Sequence, residues 1–125
     1  MKTHITHIRQ IMIPVSDLGR AVSFYTKELG LQLLFQTGQM AFFNLGEVRL
    51  MLSLPEQGQF LNPSSIIYLN VSDIHQACHD FSQSGILFLD TPHHIATIGK
   101  TETWMCFFKD SENNTLGLIS EVISH

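Results

Sequence analysis

The stretch QIMIPVSDLGRAVSFYTKELGL, residues 10–31, decides the fold, because its pattern returns as IIYLNVSDIHQA, residues 66–77. In each copy, Val-Ser-Asp follows an apolar, strand-like run and precedes a segment whose apolar side chains recur every three or four residues. The side-chain oxygens of Ser and Asp can cap free N–H groups at the start of a helix. Each copy therefore predicts a strand followed by a helix, and the repeat indicates an internal duplication.

The first half of the chain continues this pattern with three strands. Its opening strand is predicted at Ile8 to Val15, and its helix begins after Ser16-Asp17 and is ended by Gly30. Short turns separate the strands that follow, so these should pair as an antiparallel meander. The three strands are predicted at Gln32 to Thr37, Met40 to Leu45 and Glu47 to Leu54.

The second half repeats the order after PEQGQFLNPSS, residues 55–65, whose Pro, Gly, Gln and Ser residues are typical of a linker. A strand at Ile66 to Val71 leads into a helix closed by Gly85. Further strands are predicted at Ile86 to Leu89, His94 to Ile98, Thr103 to Lys109 and Thr115 to Val122. We therefore expect one domain over residues 1–125, with modules at about 5–55 and 65–123 and a linker at about 56–64.

Composition limits the classes of partner. The net charge is -4 and no run of Lys or Arg could follow a phosphate backbone, so a nucleic-acid partner is not expected. No apolar run approaches the roughly twenty residues of a membrane span, and we expect no signal peptide and no membrane partner. The two cysteines, Cys78 and Cys106, are expected to be buried, reduced thiols of a cytoplasmic protein.

The predicted fold class is α+β. Two βαβββ modules that each leave one sheet face uncovered would gain by packing side by side, with the helices on the outer face and the sheets cupped around a shared cavity. Only 14% of the residues are charged and nine are Phe. This surplus of apolar surface favours a cavity or a contact between subunits.

Two motifs carry a resemblance to a known family. The stretch IPVSDLGRAVSFYTKELGL, residues 13–31, and the ending FFKDSENNTLGLIS, residues 107–120, resemble the module signatures of the vicinal oxygen chelate superfamily. This superfamily includes glyoxalase I, fosfomycin-resistance enzymes, methylmalonyl-CoA epimerase, extradiol dioxygenases and bleomycin-binding proteins. The resemblance covers nearly the whole chain, and it implies the cupped fold, a small organic ligand and a homodimer.

The resemblance also implies a metal site with four ligands, two from each module. Carried over to this sequence, the ligand positions fall on Gln10, Met51, Ile66 and Gly117. Only Gln10 offers an oxygen to Ni²⁺, Zn²⁺, Mn²⁺ or Fe²⁺, which prefer imidazole and carboxylate ligands. The standard metal site is therefore expected to be largely missing, and Gln10 with non-standard ligands is the alternative.

The ligand-binding candidates lie on strands that would line the cavity. They are Gln10, Met12, Arg49, Met51, Tyr68 and Trp104, with Phe42 or Phe43 and Phe108 nearby. Arg49 shares a strand face with Met51, where it would suit a carboxylate or phosphate, or else it is simply exposed.

His93 and Glu121 are the catalytic candidates. His93 lies at the rim, where it could touch a ligand or act as a base. Glu121 shares the strand face of Gly117, and it is either a cavity carboxylate or a solvated charge.

Three functions stay open at this point. The first is a metal-dependent lyase, isomerase or dioxygenase of the glyoxalase I type. The second is a metal-free protein that binds or sequesters an aromatic or cationic compound in a mostly apolar cavity. The third is a metal-free enzyme that uses His93 or Glu121 as a base.

Overall fold

The computed structural model describes residues 7–55 and 66–123. The predicted linker at about 56–64 lies outside the described residues. Contacts divide the chain into two compact units, Met1–Asn62 and Pro63–His125. The predicted tandem βαβββ modules are confirmed, because each unit has one helix and a four-stranded mixed sheet.

The first unit runs through strand β1, helix α1 with a π-helical extension, and strands β2 to β4. Its strand order is β1-β4-β3-β2, with β1 parallel to β4 and the rest antiparallel, as a meander predicts. The bounds are Gln10–Pro14 for β1, Leu18–Ser23 for α1, Phe24–Glu28 for the extension, Gln32–Gln36 for β2, Met40–Leu45 for β3 and Val48–Ser53 for β4.

The second unit repeats this arrangement. Its strand order is β5-β8-β7-β6, with β5 parallel to β8. The bounds are Ile67–Asn70 for β5, Ile74–Gln83 for α2, His93–Ile98 for β6, Thr101–Lys109 for β7 and Thr115–Ile123 for β8. The duplication extends to fine detail, because β2 and β6 each shift register, between Leu33 and Phe35 and between His94 and Ala96.

The repeated Val-Ser-Asp motif caps both helices through its Asp. Asp17 accepts a hydrogen bond from the backbone N–H of Arg20 at 3.0 Å, and Asp73 accepts one from that of Gln76 at 3.1 Å. Both Asp residues have extended backbone angles, as N-cap residues do. The predicted strand-to-helix joints are therefore confirmed at the level of single hydrogen bonds.

Each helix covers one face of its own sheet and leaves the other open. In the first unit the buried side chains of the covered face include Ile13, Phe43, Leu50 and Leu52, and Tyr25 of the helical segment contacts Phe43. In the second unit the buried side chains include Ile74, Cys106, Phe108, Leu116, Leu118 and Ser120. We call the uncovered side of each sheet its open face.

The predicted strand at Ile86 to Leu89 is wrong. In this segment Phe88 forms a single isolated bridge with Phe108. The backbone N–H of Leu89 donates to the Phe107 carbonyl at 2.8 Å, but the N–H of Phe107 donates to the Asp90 carboxylate at 2.8 Å instead of returning the bond. The ladder stops because a side chain takes the donor that would extend it.

Neither helix in the two described ranges is long and apolar enough to cross a membrane.

Candidate functional site

The open face of the first sheet carries two rows of side chains that run across its four strands. Residues paired directly across neighbouring strands point to the same face, so the register assigns the members of each row. The polar row is Gln10, Arg49, Asn44 and Gln32. The apolar row is Met12, Met51, Phe42 and Phe35.

Hydrogen bonds join the residues of the polar row in two pairs. The Nε of Arg49 donates to Oε1 of Gln10 at 2.7 Å, and Nδ2 of Asn44 donates to Oε1 of Gln32 at 3.3 Å. The other end of the Gln10 amide, Nε2, lies 3.8 Å from Sδ of Met51. The structure therefore brings together three of the predicted site residues, Gln10, Arg49 and Met51.

The apolar row is built around Phe42, whose ring contacts both Phe35 and Arg49. The Phe35 and Phe42 rings are stacked, with centroids 4.4 Å apart and planes 24° apart. The guanidinium carbon of Arg49 lies 5.1 Å from the Phe42 centroid, within the range of a cation–π interaction. Phe35 and Met12 are 51% and 49% exposed, so this row offers accessible apolar surface.

The four positions to which the resemblance assigns metal ligands do not fit a divalent metal. The Gln10 oxygen already accepts a hydrogen bond from a cationic guanidinium, which would repel a metal ion at the same oxygen. Met51 supplies only a thioether, and Ile66 and Gly117 supply no donor atom in their side chains. Across residues 7–55 and 66–123, no cluster of three or more His, Cys, Asp and Glu side chains could hold a metal ion.

The second sheet has a corresponding apolar row made of Tyr68, Gly117 and Phe107. The Tyr68 and Phe107 rings meet edge to face, with centroids 5.8 Å apart. A Cβ on Gly117 would lie 2.8 Å from Cδ2 of Tyr68 and 3.2 Å from Cε1 of Phe107. Aromatic rings therefore occupy the space in which a longer side chain at residue 117 would extend.

His93 lies near the start of the edge strand β6, on the open face of the second sheet beside Met105. Its Nδ1 is 3.1 Å from the Thr91 carbonyl oxygen and 3.5 Å from Oδ2 of Asp90. A carbonyl oxygen only accepts, so Nδ1 carries a proton in this contact. The role of His93 as a base stays a prediction, and Asp90 is a neighbour that the sequence patterns did not single out.

Glu121 pairs with Thr103 and shares the strand face of Gly117, as strand alternation predicts. Its side chain is exposed and makes no hydrogen bond to any residue in the described part of the chain. Its role as a base or ligand contact stays a prediction.

Trp104 lies on the opposite side of the second sheet from Tyr68. It pairs with Ser120 and shares the helix-covered face of Cys106. Its ring contacts His75 of α2, with centroids 5.2 Å apart, and His94, at 5.6 Å. The structure therefore does not bring Trp104 together with Tyr68 and Phe107 on the open face of its own sheet.

An open cleft of about 490 Å³ lies at the end of the first sheet next to the polar row. Its walls combine two arginines with an amide, a carboxylate and aliphatic carbon. The lining residues are His7, Arg9, Leu34, Asn44, Gly46, Glu47, Val48 and Arg49. Of these, only Arg49 was singled out by sequence patterns, because the others come from turns, strand ends and a register shift.

Comparison with known proteins identifies the family. A family model described as the Glyoxalase/Bleomycin resistance protein/Dioxygenase superfamily matches residues 5–118. Comparison with curated proteins found no match.

Solved structures share the fold at low identity. TnmS3, an antibiotic binding protein from Streptomyces sp. CB03234, is 22% identical with a TM-score of 0.75, covering 97% of this chain and 100% of that one. Lactoylglutathione lyase from Agrobacterium tumefaciens is 18% identical with a TM-score of 0.72, covering 94% and 96%. A superfamily member from Sphaerobacter thermophilus DSM 20745 is 22% identical with a TM-score of 0.75, covering 94% and 99%.

The structural likenesses show a common fold, and the family match takes in the first motif and all but the last two residues of the second. The chain belongs to the Glyoxalase/Bleomycin resistance protein/Dioxygenase superfamily.

Proposed function

We propose that this protein binds a small aromatic compound on the open face of its first sheet, without a metal ion. The observation that carries the proposal is the contact of Arg49 and Phe35 with the Phe42 ring, beside the exposed thioether of Met12. Flat aromatic and polarisable thioether surfaces favour aromatic ligands, and a few fixed polar groups give the ligand its orientation.

The donor chemistry favours binding over metal-dependent catalysis. Lactoylglutathione lyase and TnmS3 share this fold, so the fold alone does not choose between an enzyme and a binding protein. In this chain the Gln10 oxygen is engaged by Arg49, and its three companion positions lack suitable ligands. An antibiotic binding protein is therefore the better analogue for the proposed activity.

We also propose that the protein forms a homodimer. Apolar side chains are exposed on the edge strand β2, including Leu34 at 48% and Phe35 at 51%. Exposed apolar edges of this kind are commonly protected by association. Analytical ultracentrifugation tests this directly, because a mass equal to one chain at micromolar concentration would contradict it.

A panel of aromatic compounds tests the binding proposal. At least one compound should raise the melting temperature, because binding to the folded state alone stabilises it. Phe35→Ala should weaken that binding by about twofold to tenfold, the range expected for one aromatic contact. Leu87→Ala is the matched control, because it removes another exposed apolar side chain in the second unit. Equal losses in both variants, or no binding across a diverse panel, would contradict the proposal.

A further inference from the structure

Arg49 is held in a fixed orientation by two neighbours on the open face. Gln10 accepts from its Nε at 2.7 Å, and its guanidinium carbon lies over the Phe42 ring, 5.1 Å from the ring centroid. Its two terminal nitrogens make no hydrogen bond to any residue within the described ranges. We call these two terminal nitrogens the Arg49 fork. Because the side chain is already held in place, binding a ligand at the fork costs little further side-chain entropy.

The surroundings of this fork are locally positive, although the whole chain carries a net charge of -4. Arg9 lines the same cleft, and its carbonyl oxygen accepts from the backbone N–H of Arg49 at 2.8 Å. Asn44 supplies an amide to the cleft, His7 supplies an imidazole, and Glu47 supplies the one carboxylate among its lining residues. Two arginines in one cleft repel each other, and a bound anion would relieve that repulsion.

The spacing of the two rows sets the shape of a suitable ligand. Gln10 and Met12, like Arg49 and Met51, are two residues apart along their strands, so the rows are separated by about 7 Å. A ligand with a flat apolar body on the apolar row would place a substituent at that distance next to the Arg49 fork. Planar carboxylates match the bidentate geometry of a guanidinium.

We propose that the ligand of this open face is an aromatic carboxylate, whose carboxylate is held by the terminal nitrogens of Arg49 and whose ring lies on the apolar row. The inference rests on the proposed function and gives it a substrate class. Gln10 is a positioning residue here, since it acts on the ligand through Arg49.

The test uses naphthoate and naphthamide, which share a ring system and differ in charge. Calorimetric titration of the full chain at neutral pH should give a dissociation constant for naphthoate at least about tenfold lower than for naphthamide. Arg49→Met keeps an apolar stem over Phe42 but removes the charge, so it should abolish most of this preference. Lys100→Met removes the same charge from an exposed turn and should leave the preference unchanged.

The outcomes separate this inference from the function on which it rests. A preference for the acid that disappears in Arg49→Met and survives in Lys100→Met supports the inference. Equal binding of both compounds to the wild type, or a preference that survives Arg49→Met, overturns it while the binding function stands. If neither compound binds, the inference is overturned, and the proposed function fails with it only if the wider panel of aromatic compounds also gives no binding. Thermal unfolding of each variant verifies that it is folded.

Discussion

Among single residues, Gln10 and Arg49 decide how the family resemblance applies to this chain. The family resemblance assigned Gln10 to a ligand position, and strand alternation placed Arg49 on the strand face of Met51. The register pairs Gln10 with Arg49 and Met12 with Met51. The hydrogen bond between Gln10 and Arg49 joins residues that are 39 positions apart. Local spacing cannot reveal such a contact, because it depends on the pairing of β1 with β4.

Gly117 provides a test of the packing on the second sheet. Gly117→Ala should lower the free energy of unfolding by about 1 to 3 kcal/mol, because its Cβ would lie 2.8 Å from the Tyr68 ring. In a Tyr68→Ala background the same substitution should cost clearly less. Urea unfolding of the four proteins measures this coupling. Equal costs in the two backgrounds would show that Tyr68 does not fill this space.

Cys106 predicts a specific pH dependence of stability. Burial, with smaller contributions from the nearby Cys78 and Asp90, raises the pKa of its thiol from 9.0 to about 12. Between these values the unfolded thiol loses its proton while the folded one keeps it, so stability should fall as pH rises from about 9 to 12.

The Cys106→Ala variant isolates this contribution. Its free energy of unfolding should fall less steeply than that of the wild type over the same pH range, by up to about 1.4 kcal/mol per pH unit. Urea unfolding at several pH values measures both slopes. Parallel curves for the two proteins would contradict the assignment.

At the level of secondary structure, regular elements follow local patterns and irregular ones do not. Both helices begin where Val-Ser-Asp predicts, because capping is a local interaction. Simple alternation would place Leu33 and Phe35 on one face, but the register shift between them turns Phe35 toward Phe42 on the open face. Phe35 was therefore missed as a site residue, although it contributes to the aromatic surface.

Trp104 shows the same dependence on register. We expected Trp104 to line the apolar cavity. Counting back from the buried Phe108 and Cys106 in steps of two puts it on the helix-covered face instead. Phe107, one position away from Phe108, instead reaches the open face beside Tyr68. A shift of one residue exchanges the two faces of a strand, so aromatic content alone does not identify site residues.

The cap of α2 can be tested by substitution. Asp73→Ala should lower the free energy of unfolding by about 1 kcal/mol, because the N–H of Gln76 loses its acceptor. Asp73→Asn is the control, since Asn caps helices nearly as well. Urea unfolding of the three proteins measures the differences. An equal loss in both variants would mean that the carboxylate charge, rather than the cap, stabilises the helix.

For the molecule as a whole, the duplication was readable because each module repeats the same local pattern of strand, cap, helix and meander. The chemistry of the open faces could not be predicted from the repeat, because the two modules carry different side chains at matching positions. The first sheet presents an arginine-containing polar row beside methionine and phenylalanine, and the second presents Tyr68 and Phe107 over Gly117. The family fold has been kept while its usual ligand positions hold other groups.

The central claim is that the first sheet binds an aromatic ligand without a metal ion. Calorimetric titration of naphthoate into the full chain, once with excess chelator and once with added Ni²⁺, Mn²⁺ or Zn²⁺, tests it most directly. The account predicts dissociation constants that agree within about twofold under all of these conditions. Binding that disappears with chelator and returns with a divalent metal would contradict it.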